Sequence, residues 1–332
     1  MRFLLDDEQR EFARSLDAML TATGTVAATR AWGAGDRTPG RAVWARLADA
    51  GVFALPVPQE YEGVGPLPVE TAVAFVELGR HAVPGPVVET VAAAALLTRL
   101  AERGEAGPAK RFLPALASGA ASATLTPPAS LPGASPFALD ADTADLVLAA
   151  TDGELRLAPG HARVRRSLDP ARHLAAPLPG GELLASGPAV ADAARHAVRW
   201  AALGTAAQAL GVGFALLDRT VAYVKQRTQF GVPIGSFQAV KHRLADALVR
   251  LEFARPLVLG AATTMAPGDI AAAKVTAGEA AYGAARAALQ LHGAIGYTAE
   301  FDLSLWLTKA RALRGAWGDP GVWRGQVLAA RE

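Results

Sequence analysis

The amino-acid sequence predicts a mostly α-helical chain with one small β domain. Three observations carry this. Alanine-rich apolar residues recur at helical spacing along most of the 332 residues. Composition shifts after Ser118, where short runs of strand-type residues take over, and the helical pattern returns from Ala189. The expected organisation is a helical N-terminal domain over 1–118, a β domain over 119–188 and a C-terminal four-helix bundle over 189–332.

The elements follow in order. Leu5, Phe12, Leu16 and Leu20 mark a first helix, with Asp6, Asp7 and Glu8 near its start, where the helix dipole favours negative charge. A Gly- and Thr-rich loop is expected from Thr21 to Gly40, then a helix from Arg41 to Ala50. The apolar run from Val52 ends in prolines and glycines and leaves the helix before Gly65. Helices follow over Val69–Gly79 and Val87–Leu100, separated by Pro84-Gly85-Pro86. Strands are expected at Ser122–Thr126, Asp145–Ala150 and Glu154–Ala158, the last two joined at Asp152-Gly153. Asp192–Lys225 holds one or two long helices, and Val240–Arg255, Ile270–His292 and Leu303–Trp317 complete the bundle.

A chain this long predicts two or three domains and buries a cofactor easily. Hydrophobic residues at 51% against 19% charged exclude a disordered protein. The net charge of +2, with no block of five basic residues, argues against a nucleic-acid partner, and Arg163–Arg166 reads as a solvated strand edge. With no cysteine there is no disulfide framework, thiolate metal site or cysteine nucleophile. The histidines show no metal-ligand spacing. The N-terminus turns acidic after five residues and no apolar run reaches membrane-spanning length, so a cytoplasmic protein without a membrane partner is expected.

The stretch Arg227–Lys241 is the chemical centre of the sequence. Leu203, Leu210, Phe214, Leu217, Val221 and Val224 form an apolar stripe before it, and Val240, Leu244, Leu248 and Leu251 restart the period after it. Gly231, Pro233 and Gly235 shape the turn between. Arg227 brings a planar cation suited to phosphate oxygens, beside Gln229, Phe230, Phe237 and Gln238. That set suits a dinucleotide. The chemistry alone leaves a second reading open, with Arg227 paired to a carboxylate and both phenylalanines in the core.

The run RTQFGVPIGSFQAVKHRLAD resembles the helix–loop–helix signature of the acyl-CoA dehydrogenase family, and Gln290–Glu300 resembles that family's later Gly-rich turn. The stretch ending at Gly65 is similar to its early Leu-Pro-Glu-Tyr-Gly-Gly turn. The resemblance implies FAD as cofactor and an acyl-CoA thioester as substrate. It also implies that Arg227, Phe230, Phe237 and Gln238 contact the adenine and pyrophosphate of a neighbouring subunit's FAD, with Gln290 and Gly293 completing the cradle and Ala294 replacing the family's second glycine.

Two departures stand out. Thr126 matches a family threonine, but Pro127 and Pro128 follow where an acidic residue is expected, and prolines offer no N–H to a flavin carbonyl. The β domain is thus a reduced one, which argues against flavin binding by this chain's β domain alone. The family's glutamate base falls on Trp317, and its alternative position falls near Ala201 and Ala202; none of these accepts a proton. Asp319 is the remaining candidate, with helix capping as its other reading. Together these imply a base-lacking subunit of a hetero-oligomer, paired with a homologous chain. The alternatives are an active homo-oligomer using Asp319, and a non-enzymatic scaffold on the same fold.

Overall fold

The computed structural model describes residues 4–128, 131–133, 135–151 and 153–330. Six helices open the chain: α1 (Asp7–Thr23), α2 (Thr25–Ala34), α3 (Thr38–Asp49), α4 (Pro68–Arg80), α5 (Val87–Glu102) and α6 (Ala106–Ala117). Helix α1 begins with a reciprocal capping box in which the Gln9 N–H donates to Asp6 Oδ1 at 2.8 Å and the Asp6 N–H to Gln9 Oε1 at 3.2 Å. Helix α2 lies inside the segment expected to be a loop. Gly24 and Gly35 close its two ends in left-handed geometry, and buried Ala28 and Trp32 hold it to the protein. Every residue of α5 from Val87 to Leu100 except Arg99 is buried, the carboxyl-bearing Glu89 included.

The β segment has two small sheets. Strands β1 (Ala123–Leu125), β3 (Leu146–Thr151), β4 (Glu154–Leu157) and β7 (Glu182–Ser186) form one in the order β1-β3-β4-β7, with β1 parallel to β3 and the rest antiparallel. Strands β2 (Ala138–Leu139), β6 (His173–Ala175) and β5 (Arg165–Arg166) form the other, with exposed β5 on its edge as expected for that arginine cluster. Of the residues at the β3–β4 turn, Asp152 lies outside the described residues and Gly153 has a positive φ of 77°.

Helix α7 (Pro188–Gln226) is one unbroken rod of 39 residues. The sequence predicts a single apolar stripe for it, yet the residues from Trp200 to Leu217 are buried on every side. The expectation of no membrane-length apolar run also needs correction: an 18-residue window of α7 has mean hydropathy 1.5, but all of it is buried inside the protein. Helices α8 (Gln238–Thr264), α9 (Pro267–His292) and α10 (Leu303–Gly315) pack around α7, and α11 (Pro320–Ala329), unforeseen from the sequence, is added after them.

Helices α4 and α7 approach backbone to backbone through glycines. A Cβ on Gly79 would stand 2.0 Å from Gln208 O, and one on Gly211 1.8 Å from Val76 O. Gly211→Ala is therefore expected to lower stability by about 1–3 kcal/mol although alanine is the better helix former by about 1 kcal/mol. Gly325→Ala on α11, where nothing lies within 4 Å, should instead stabilise by about 0.5–1 kcal/mol. Urea unfolding of both variants checks the pair; equal effects would mean that α4 and α7 part freely.

Candidate functional site

Three places gather chemistry. The first is the corner between α7 and α8. Arg227 ends α7 in extended geometry, with its N–H donating to Tyr223 O at 2.9 Å. Strands β8 (Thr228–Gln229) and β9 (Val232–Pro233) pair as a two-residue hairpin whose tip, Phe230 and Gly231, has φ of 52° and 80°. Two left-handed residues in succession match strand twist, which explains the glycine and leaves Phe230 projecting. Phe230 is 91% exposed and meets Phe237 edge-on at 6.2 Å.

The end of α9 is tied to the same end of the bundle. His292 stacks on Tyr223 at 4.1 Å, and its Nδ1 donates to Ala288 O at 2.8 Å. Burial pulls the His292 pKa below the ordinary histidine value. Gly293 follows with φ 62° and ψ −138°, a combination that suits only glycine. Arg227, Gln238 and Gln290 are exposed, and among the described residues their side chains join no hydrogen bond or ion pair. The reading that paired Arg227 with a carboxylate and buried both phenylalanines is thereby corrected: the turn faces outward, with donors and aromatic surface free. Asp302, by contrast, pairs with Arg30 at 2.9 Å.

The second place is a cavity of about 220 Å³ where α5, the β segment and the α10–α11 turn meet; its lining includes Glu89, Leu125, Pro127, Phe137, Arg172 and Trp317. Trp317 is buried with φ 57°, a backbone geometry rare for so bulky a residue. Its indole N–H donates to Glu89 Oε1 at 3.2 Å, and its carbonyl accepts from the Trp323 indole at 3.0 Å. Just before it, Lys274 of α9 donates to the carbonyls of Leu313 and Arg314 at 3.1 and 3.3 Å and so caps α10; burial brings its pKa down to about 7. Glu89 Oε2 has no partner, and burial holds that carboxyl above the usual range against the pull of Arg172 and the Trp317 hydrogen bond.

Sequence reasoning missed Glu89. Its signal was a lone carboxylate inside the apolar run Val87–Leu97. Asp319 is exposed at the N-cap of α11, makes no capping hydrogen bond and does not line this cavity.

A third cluster, Asp140, Asp142 and His173, brings three ligating atoms within 4.8 Å of one another. It already contains a cation, because Arg37 Nη2 lies 2.8 Å from Asp142 Oδ2 and also contacts His173 Nδ1. Burial raises Asp140 to about 7, against hydrogen bonds from the His173 N–H and the Trp32 indole. Because this folded pKa lies above the unfolded value near 4, the unfolded chain loses that proton first and folding stability falls as pH rises from about 4 to about 7. Asp140→Asn is expected to flatten that part of the stability profile; an unchanged slope, followed by urea midpoints against pH, would show that Asp140 is ionised throughout.

Comparison with known proteins adds to this geometry. Residues 6–120 match the acyl-CoA dehydrogenase N-terminal domain and residues 191–331 the acyl-CoA dehydrogenase C-terminal domain. The chain is 36% identical over 307 residues to acyl-CoA dehydrogenase IpdE2 of Mycobacterium tuberculosis, covering 91% of each protein. Its fold matches the Tcur3481-Tcur3483 steroid acyl-CoA dehydrogenase with a TM-score of 0.83 at 24% identity over 98% of both chains. It also matches the ChsE4-ChsE5 complex of Mycobacterium tuberculosis with a TM-score of 0.77 at 24% identity, over 100% of this chain and 98% of the other. At such identities the structures speak for the fold alone. With both family domains matched in order and a relative this similar over nearly its whole length, the chain belongs to the acyl-CoA dehydrogenase family.

Proposed function

We propose that this chain is the base-lacking subunit of a hetero-oligomeric, FAD-dependent acyl-CoA dehydrogenase, acting in the cytoplasm on a bulky thioester such as a steroid-derived acyl-CoA. The observation that carries the reading is Trp317. It fills the position at which the family's glutamate is expected, and two hydrogen bonds fix it there. Solved structures named for steroid chemistry and for a two-chain complex share this fold, which makes that substrate class and a heteromeric arrangement the first to test.

A flavin ring fits poorly in the cavity beside Trp317. The cavity, about 220 Å³, is smaller than the 300–1,000 Å³ usual for cofactor-sized ligands, and Pro127 and Pro128 at the end of β1 lack N–H donors. The outer corner suits the nucleotide end better. There the free guanidinium of Arg227 and the amides of Gln238 and Gln290 would hold a diphosphate. Phe230 and Phe237 would flank the adenine, and Gly293 would leave room for the chain to approach. Bound FAD would supply hydride acceptance. This chain's part is binding and orientation, with the partner supplying the base.

Producing the chain alone and together with each glutamate-bearing homologue from its genome tests this. The expected result is a colourless protein alone and a yellow complex, bleached by acyl-CoA, with one homologue. A yellow protein that bleaches by itself would overturn it. In that case the second reading, an active homo-oligomer with a displaced base, stands, and the buried, unpartnered oxygen of Glu89 suits that base better than exposed Asp319. A chain that stays colourless and inert with every homologue would favour the scaffold reading.

A further inference from the structure

The cavity beside Trp317 is small for a flavin ring, yet two of its walls carry polar groups that the chain leaves unanswered. Glu89 of α5 is 3% exposed, and its Oε2 has no hydrogen-bond partner among the described residues. Arg172, just ahead of β6, lines the same cavity, and among the described residues its guanidinium joins no hydrogen bond or ion pair. The other buried cations nearby are committed. Lys309 pairs with Asp169 at 3.1 Å, and Lys274 donates to the carbonyls of Leu313 and Arg314. An unpaired carboxyl oxygen in so dry a place carries a penalty that a bound hydrogen-bond partner removes.

Few ligands satisfy both groups at once. Arg172 calls for an acceptor, and its planar fork matches the two oxygens of a carboxylate. Glu89 lacks a partner at Oε2, and burial favours its acid form, which donates to one oxygen of a carboxylate that Arg172 holds. Guanidinium, ligand carboxylate and neutral Glu89 then carry no net charge, as burial demands. Leu125, Phe137, Leu139 and Leu174 give the rest of the wall apolar surface. A dry cavity of about 150 Å³ takes a benzene-sized ligand, so the space here, about 220 Å³, adds room for a carboxyl group.

We propose that this cavity binds a small free organic acid, about the size of benzoate, with its carboxylate between Arg172 and Glu89 and its apolar body against Phe137 and Trp317. The ligand is not the thioester of the dehydrogenation. A thioester has exchanged its carboxylate for sulfur and cannot present one to Arg172. Binding there needs neither flavin nor a partner chain, so the site serves whether this chain works alone or in a pair.

The test titrates benzoate, and benzamide as its uncharged isostere, into the full-length chain, followed by calorimetry and by the indole N–H resonance of Trp317. Benzoate should bind and shift that resonance, and benzamide should bind about tenfold more weakly or worse. Arg172→Gln should weaken benzoate by about tenfold or more and leave the unfolding midpoint in place, because that guanidinium makes no bond in the free chain. The cations that bear on Glu89 are Arg172 and Lys309. Wild-type affinity should fall as pH rises through the Glu89 value, since the ionised carboxylate repels the ligand. Glu89→Gln should keep benzoate and lose this pH dependence, because its amide N–H donates at every pH. No benzoate binding to wild type, equal binding of benzamide, or affinity indifferent to Arg172→Gln would each overturn the proposal. Benzoate that binds without moving the Trp317 resonance sits elsewhere and overturns it too, a readout that holds even where a variant fails to fold. None of these outcomes bears on the heteromeric function, which is read from flavin colour and bleaching.

Discussion

Lys309→Met is expected to lower the stability of the chain by about 3–5 kcal/mol, because it strands a buried carboxylate without its counter-ion. Lys309 Nζ lies 3.1 Å from Asp169 Oδ2, and the two side chains are 3% and 1% exposed. Lys309 sits on α10 and Asp169 in the loop between β5 and β6, so the pair fastens the β segment to the bundle. After removal of the lysine, Asp169 retains the Ala171 N–H at 3.0 Å as a partner, which is too little for a desolvated charge. Replacing both residues, Lys309→Met with Asp169→Leu, should recover much of the loss, since an apolar pair carries no desolvation penalty. Urea unfolding of the two single variants and the double variant measures the coupling. A single-variant loss below about 1 kcal/mol would mean that water reaches Asp169 freely. Because Arg172 lies three residues beyond Asp169, loosening this fastening should also disturb the cavity wall.

Trp317→Ala is the other large effect expected, a loss of about 3–5 kcal/mol from the emptied indole site. The change removes a buried aromatic and leaves both oxygens of Glu89 without a partner. The φ of 57° adds a second, separable term. Alanine keeps the left-handed penalty and glycine does not, so Trp317→Gly should be about 1 kcal/mol more stable than Trp317→Ala. Equal stabilities would indicate that the turn relaxes out of the left-handed region once the indole is gone. In either variant the cavity beside Glu89 grows, and a small apolar ligand that raises the unfolding temperature of the variant but not of wild type would register it.

How much of this was readable beforehand depended on how local each feature is. The α7–α8 corner from Arg227 to Gln238 is one continuous segment, and its glycines, proline and aromatics specify the hairpin without outside help. The long helices were readable from periodicity. Helix α2 was not, because its Thr and Gly content suggests a loop and what holds it comes from afar: the Trp32 indole donates to Asp140, 108 residues away. Strands β2, β5, β6 and β7 are two to five residues long, too short for an alternating pattern to emerge. Helix α11 did carry a signal, Asp319 at the N-cap followed by Pro320, which opens helices readily.

By itself the sequence determined the family, the helical framework, the residues proposed for nucleotide contact, Arg227, Phe230, Phe237, Gln238, Gln290 and Gly293, and the absence of a glutamate at Trp317. These are matters of residue identity and short spacing, which a linear chain displays directly. Only the tertiary structure decided that Glu89 lies under Trp317, 228 residues away, that Lys309 neutralises Asp169, and that Arg172 lines the cavity beside Glu89. Desolvation and charge pairing are set by what surrounds a group in space, and long-range packing alone brings those surroundings together.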